Sequence, residues 1–418
     1  MVGAFPPERC GEGNYAFMYV SSLLRQVHNV KVSVISHKVK GAPPLDGLSE
    51  EERTRVEITK TYSTGSFLGR NLSFIWLFRA IARSRPHLMH LTYGPNTDFG
   101  GRIGEPLILL FLLLRLARIP VVVTLHSTWL PANVYARGRE LGHGHMLSLL
   151  SAVYFRLFTK AFTRLASRVQ ILTTSENSEI ARAYQSVYGL PASKLGEEPH
   201  GCRFCPITEG QMSKAKRDLG LLGRDFVFSF GFIRRDKGFE DLLRAVSGLS
   251  SSVRARLIVV IAGNTTTVSD FEYFKSLKHM LSELAIEDVV TIDRRYVPDE
   301  EIWKYIEAAD IVVFPYLRSV GASGPLHHVI CRGKPIIAAD TGFFSIMEGT
   351  IPLYTPGNHG KLAMLLESLL TSRNEYDAAV SLAETYALMH DWSRVVRLNI
   401  ELYATILDDR TANRTHTS

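Results

Sequence analysis

The chain has 418 residues, 46% hydrophobic, 21% charged and 10% aromatic, a globular balance that excludes a disordered or collagen-like polypeptide. Its formal charge is +7, and four cysteines (Cys10, Cys202, Cys205, Cys331) are too few for a disulfide-framed scaffold. The longest apolar run, 106–114, ends at Arg115, well short of the roughly 20 residues that span a bilayer. The first residues also lack the basic-then-apolar pattern of a signal peptide, so a cytoplasmic protein is expected.

Strand-like and helix-like segments alternate, the pattern of parallel α/β layers. In the first half 30–36 reads as a strand, 72–82 as a helix, 87–91 as a short strand, 107–116 as a helix and 120–125 as a buried strand. The run 151–168 reads as a helix, 169–174 as a strand and 176–188 as a helix, while 94–104 and 129–145 look like polar, glycine-containing loops. Proline, glycine, cysteine and threonine cluster at 199–223 and predict a linker.

A second series follows, with strands at 226–230, 257–262, 289–292, 311–314 and 335–338. Helices are expected at 239–247, 270–284, 299–308, 325–331 and 392–407. Two successive doubly wound, Rossmann-like units imply a cleft between them. The expected boundaries are 1–198, a linker 199–224, 225–390, and a closing helix and tail 391–418.

Charge is uneven. Residues 1–200 hold 23 Lys and Arg against 14 Asp and Glu, net +9, whereas 201–418 carry net −2. In 151–168, Arg156, Lys160, Arg164 and Arg168 recur every four residues, with Tyr154, Phe158, Ala161, Phe162 and Leu165 opposite. Such a helix suits either an anionic membrane surface or a sheet-packed position with its charges in water.

Four stretches carry candidate chemistry. In 226–245 a strand ends at Gly231, a loop holds Arg234, Arg235 and Lys237, and Gly238 opens a helix, an arrangement that suits a diphosphate. In 316–340, Ser323 and Gly324 precede Pro325 and feed a second helix start, with His327 and His328 in its first turn. In 121–129, His126 emerges at a strand's carboxyl end, where open α/β sheets bind ligands. Gly11 and Gly13 form a short glycine loop without a full dinucleotide fingerprint. Cys202 and Cys205 have redox-motif spacing, but no second pair completes a zinc site.

PP-x-x-x-G-x-G at 6–13, RPHLMHLTYG at 85–94, TLHST at 124–128 and ILTTSENSEIA at 171–181 are followed by EPHGC at 198–202, GFIRRDKGFEDLLRA at 231–245 and DWSRVVRLNIELY at 391–403. In order and spacing this set resembles a GT-B fold glycosyltransferase of family 4, over nearly the whole chain. The resemblance implies a first domain for the acceptor and a second for a nucleotide diphosphate sugar. It also implies hexose transfer with retained anomeric configuration, and no cofactor or required metal. Arg234 and Lys237 would bind the donor diphosphate and stabilise the leaving group. His126 would contact the sugar near the reacting carbon. Gly11, Gly13, Ser323 and Gly324 would approach phosphate through their backbones. The basic first half, with Arg156, Lys160 and Arg164, implies an anionic or lipid-linked acceptor, or a peripheral anionic membrane surface, rather than nucleic acid.

Two departures stand out. The family's pair of glutamates eight residues apart falls here on Val320 and His328, so His328 inherits the ribose-holding position. The usual Gly-Arg pair is Gly231-Phe232, which moves the arginine role to Arg234. The missing glutamates motivate an alternative, a non-catalytic GT-B binding subunit. An epimerase would need a paired acid and base, and a dehydrogenase a complete glycine fingerprint; neither is present.

Overall fold

The computed structural model describes residues 1–8, 10–38, 47–94, 97–173, 178–318 and 323–415. Chain contacts divide it into two units, Met1–Gly201 with Trp392–Ser418, and Cys202–Asp391.

The first unit begins with α1 (Gly11–Gln26), β1 (Val32–His37), α2 (Glu50–Thr54), β2 (Val56–Tyr62), α3 (Phe67–Ser84) and β3 (Met89–Tyr93). It continues through α4 (Pro106–Leu116), β4 (Val121–Leu125), α5 (Pro131–Glu140), α6 (His145–Leu165), β5 (Arg168–Thr173), α7 (Glu179–Tyr188) and β6 (Leu195–Pro199). β3, β4, β5 and β6 pair in that order, all parallel, and β1 pairs parallel with β2. Val2 bridges to both Ile35 and Leu91, so a single residue stitches the two ladders. β3 and β4 are buried along their whole length, as parallel strands covered on both faces require.

The second unit opens with α8 (Glu209–Asp218), inside the stretch expected as a linker. Thr208 and Gln211 form a reciprocal capping box there, which starts a helix despite the flanking prolines and glycines. Then come β7 (Asp225–Phe230), α9 (Phe239–Ser247), α10 (Ser251–Arg254), β8 (Leu257–Ala262), α11 (Val268–Glu283), β9 (Val290–Asp293), α12 (Asp299–Ala308) and β10 (Ile311–Phe314). The unit closes with α13 (Gly324–Ile330), β11 (Ile336–Ala339), β12 (Leu353–Tyr354), α14 (His359–Thr371) and α15 (Arg373–Met389). The closing helix α16 (Trp392–Thr415) belongs to the first unit.

Six parallel strands run β12-β11-β10-β7-β8-β9. Alternation along β7 divides the core, with Phe226, Phe228 and Phe230 packing on one face of the sheet and Val227 on the other. The chain reverses its direction of growth between β7 and β10, and the segments that leave those two strands emerge side by side. Open α/β sheets bind ligands at such a switch point.

Candidate active site

In the second unit, β7 runs into a loop that tolerates almost no substitution at its glycines. Gly231 has φ +137°, and a Cβ on Gly263 would lie 1.8 Å from the Gly231 carbonyl oxygen. Gly238 has φ +59°, and a Cβ there would lie 2.2 Å from the Pro315 oxygen. Between them Ile233 is buried and donates its N–H to the Asn264 carbonyl at 2.9 Å, pinning the loop to the sheet.

This framework holds the two cations. Arg234 donates from Nε and Nη2 to the two Asp236 carboxylate oxygens at 3.0 and 2.8 Å. That fork fixes the guanidinium plane and leaves Nη1 as the donor outside the pair. Lys237 places its Nζ 3.4 Å from the centroid of the Tyr316 ring, on the segment leaving β10. Burial pushes the Lys237 ammonium down to about 7, with Arg234 lowering it further and Asp236 opposing. The loop therefore presents a desolvated lysine beside an oriented arginine, and both gain from a polyanion.

The helix that follows contributes less than the sequence led us to expect. The Phe239 N–H at its start donates to the Tyr273 hydroxyl at 3.2 Å. Glu240 and Asp241 stand in the first turn, so negative charge already occupies the positive end of the dipole. Attraction for an anion rests on the side-chain cations.

The second candidate loop lies partly outside the described residues, and Val320 is among those not described. Ser323 is the N-cap of α13, its hydroxyl accepting from the Leu326 N–H at 3.3 Å. Gly324 is the first residue of that helix. His327 is a packed core histidine, its ring between the Ser323 carbonyl at 2.8 Å and the Tyr386 hydroxyl at 3.2 Å. His328 is half-buried and meets the Trp303 ring edge-on, with centroids 4.9 Å apart.

Gly11 and Gly13 do not form a loop before the first helix; both lie in its first turn. Cys10 is the N-cap, and its Sγ accepts from Gly13 N–H at 3.3 Å. A Cβ on Gly13 would crowd the Glu8 oxygen at 3.1 Å, whereas one on Gly11 would meet nothing. Burial pushes the neighbouring Glu12 carboxyl upward. All four cysteines are free; Cys202 is buried and Cys205 exposed.

His126 follows β4 directly, its N–H donating to the Tyr93 carbonyl at 2.9 Å. Its Nε2 is buried and has no hydrogen-bond partner among the described residues. Burial, with His200 and His90 nearby, pushes the imidazole down to about 3, so the ring is neutral at physiological pH. Tyr15 meets it in a T-shaped contact at 4.6 Å between centroids, and Tyr15 also meets His200 at 5.3 Å and Trp392 at 5.0 Å.

Behind Tyr15 lies a buried polar network that sequence reasoning missed. Glu198 accepts from the Tyr15 hydroxyl at 2.7 Å, the Thr124 hydroxyl at 2.9 Å and Asn399 Nδ2 at 2.7 Å. His90 reaches Thr124 at 2.8 Å through Nε2 and Tyr403 through Nδ1, and Tyr403 meets Tyr19 at 2.7 Å. With Thr124 donating to the carboxylate, its oxygen must accept from His90 Nε2–H. His90 Nδ1 then accepts from Tyr403, and Tyr403 accepts from Tyr19. The sequence signals were the motifs EPHGC and DWSRVVRLNIELY, which supply Glu198, His200, Trp392, Asn399 and Tyr403, with RPHLMHLTYG and TLHST supplying His90 and Thr124.

Residues 11–191 match the model of the Glycosyl transferase 4-like domain, and residues 212–384 match that of Glycosyl transferases group 1. The chain belongs to the GT4-like glycosyltransferases. Its structure is similar to that of Anabaena HepE in complex with UDP-glucose, with a TM-score of 0.65 and 17% identity over 97% of this chain and 98% of that one. It is also similar to sucrose-phosphate synthase from Thermosynechococcus elongatus, with a TM-score of 0.67 and 17% identity over 98% and 96%. WaaG, a glycosyltransferase involved in lipopolysaccharide biosynthesis, matches with a TM-score of 0.63 and 14% identity over 96% and 98%. These likenesses establish the GT-B fold. No protein of curated function matches the sequence.

On this glycosyltransferase the cations expected to form an acceptor or membrane surface lie on α6. Arg156 and Arg164 are exposed and Lys160 is half-buried. Helix α6 starts at His145, earlier than expected, and the stretch expected as a loop before it contains α5. Phe158 and Phe162 are buried, as their spacing predicts, but Tyr154 is exposed and donates its hydroxyl to Glu105. The outer face adds an apolar surface that periodicity alone did not show: Met146, Leu147, Leu149, Leu150, Val153 and Leu157 are all exposed. No helix among the described residues is long and apolar enough to cross a membrane.

Proposed function

We propose that this glycosyltransferase moves a hexose from a nucleoside diphosphate sugar to an anionic or lipid-linked acceptor, with retained anomeric configuration. The observation that carries the reading is the Arg234–Lys237 loop at the switch point of the second unit. There a lysine with its ammonium lowered to about 7 stands beside an arginine locked by Asp236. When the bond from the anomeric carbon to the diphosphate breaks, the electron pair leaves with the diphosphate. Arg234 and Lys237 offset that growing charge, which is electrostatic stabilisation by groups already in place. His126 offers a neutral, unsatisfied Nε2 to a sugar hydroxyl. Ser323, Gly324, Gly11 and Gly13 are assigned backbone roles at the phosphates, and His328 the ribose position. No metal or cofactor takes part in this scheme.

HepE holds UDP-glucose in its structure, which supports a uridine diphosphate donor here. The test is a thermal-shift comparison of UDP, GDP and ADP, followed by transfer assays with the corresponding hexoses. A ligand at a hundredfold excess over its Kd adds about 2.7 kcal/mol of stability. UDP is expected to give the largest shift, and the product anomer is expected to match the donor by NMR. No shift with any nucleotide would overturn the reading.

The exposed apolar face of α6, flanked by Arg156 and Arg164, supports a peripheral position at an anionic membrane for the same enzyme. Leu150→Glu with Leu157→Glu is expected to abolish co-sedimentation with phosphatidylglycerol vesicles. Unchanged sedimentation would remove the membrane from the proposal.

A further inference from the structure

At the opposite end of β4 from His126, a cavity of about 780 Å³ opens at the amino ends of β4, β5 and β6. Arg115, Arg118, Arg168 and Lys194 line it, against one carboxylate, Asp409. Phe111, Leu165 and Ile406 form its apolar wall.

Cations at helix ends often do no more than neutralise carbonyl dipoles, and Lys194 does this. Its Nζ donates to the carbonyls of Arg164 at 2.6 Å and Ala166 at 2.9 Å, where α6 ends. The three arginines are different. Their side chains make no hydrogen bond or ion pair with any described residue. Burial and the charges of Arg115, Arg164 and Arg168 push the Lys194 ammonium down, so these cations crowd one another. The ends of α4 and α6 supply about half a negative charge each, and Asp409 one more, leaving an excess of roughly two positive charges in the cavity. A phosphomonoester carries about −1.5 to −2 at neutral pH. The volume also lies in the range that holds a small organic ligand rather than a lone ion.

We propose that this cavity binds a phosphomonoester joined to an apolar group, at a site separate from the Arg234–Lys237 loop. The phosphate pairs with Arg115, Arg118 and Arg168, and the apolar part lies on Phe111 and Leu165. The same chemistry is offered by a soluble phosphate ester or by a lipid bearing a terminal phosphate.

The test uses the full chain with phenyl phosphate as the soluble probe, and vesicles of phosphatidylcholine with and without phosphatidic acid. Calorimetry is expected to show phenyl phosphate binding weakened at least about tenfold in Arg115→Gln with Arg168→Gln, and restored in Arg115→Lys with Arg168→Lys. UDP binding is expected to be unchanged in both. Arg118→Gln serves as a second probe should the double variant melt early. Selective capture on phosphatidic acid vesicles, lost in the glutamine variants, would identify the lipid as the source. Phenyl phosphate binding without that capture would identify a soluble ester. Failure of the wild type to bind either, or equal binding by the glutamine variants, would overturn the proposal.

Discussion

The loop after β7 and the residue after β4 occupy corresponding places, each at the carboxyl end of a central parallel strand, and both desolvate a basic side chain, yet the two groups end in different charge states. Lys237 is desolvated, with Asp236 and the face of Tyr316 nearby, and its ammonium falls from 10.5 to about 7. His126, buried beside His200 and His90, falls by a similar amount, from 6.5 to about 3, so the lower intrinsic basicity of imidazole is what leaves it neutral. The first site gains a charge when an anion arrives; the second stays neutral and offers only a hydrogen bond. One strand end thus suits a leaving diphosphate and the other a hydroxyl.

The strongest way to break this contrast is Lys237→Ala. If the lysine meets the departing charge, kcat/KM falls at least about tenfold and up to about a hundredfold, with melting temperature unchanged or raised. An unchanged kcat/KM would remove Lys237 from the chemistry.

Comparable in size is Glu198→Ala, which leaves Tyr15, Thr124 and Asn399 without their shared acceptor. Stability is expected to fall by about 2–3 kcal/mol in urea titration, and Glu198→Gln by less. A smaller loss in the alanine variant would show that the network is not the support of the His126 site.

The third test is pH. An ammonium lowered to about 7 is charged below that pH and neutral above it, so diphosphate binding above pH 7 takes up a proton. UDP affinity is expected to weaken from pH 7 to 9 by up to about tenfold per unit, and Lys237→Met to flatten the slope. In the unliganded protein the unfolded chain holds this proton more tightly, so the lysine's contribution to stability rises with pH above about 7.

The smallest expected effect is His126→Ala. Loss of one neutral hydrogen bond lowers kcat/KM about fivefold. A ring that titrates near 3 adds no pH dependence of its own between pH 5 and 9.

Several of these features were legible because they are local. GFIRRDKG carries its glycines, its cations and the following helix within one short stretch, so this basic loop could be placed before any fold was known. The strands 120–125 and 226–230 were legible for a similar reason, as continuous apolar runs between turn residues. Helix α8 was missed although Thr208 and Gln211 carried its cap, since the surrounding prolines and glycines read as a linker. β2, half-buried and interrupted by charges, carried no clear strand period. Gly11 and Gly13 read as a loop because nothing in their spacing shows that Cys10 caps a helix starting at Gly11.

What the sequence determined by itself was the alternation of two α/β series, the family pattern and the cation pair, all set by neighbours close along the chain. Only the tertiary structure decided that Glu198 gathers Tyr15, Thr124 and Asn399, and that Arg115, Arg118, Arg168 and Lys194 crowd one cavity. Those groups come from elements far apart in sequence, and their energies depend on burial and mutual distance, which exist only once the sheets have formed.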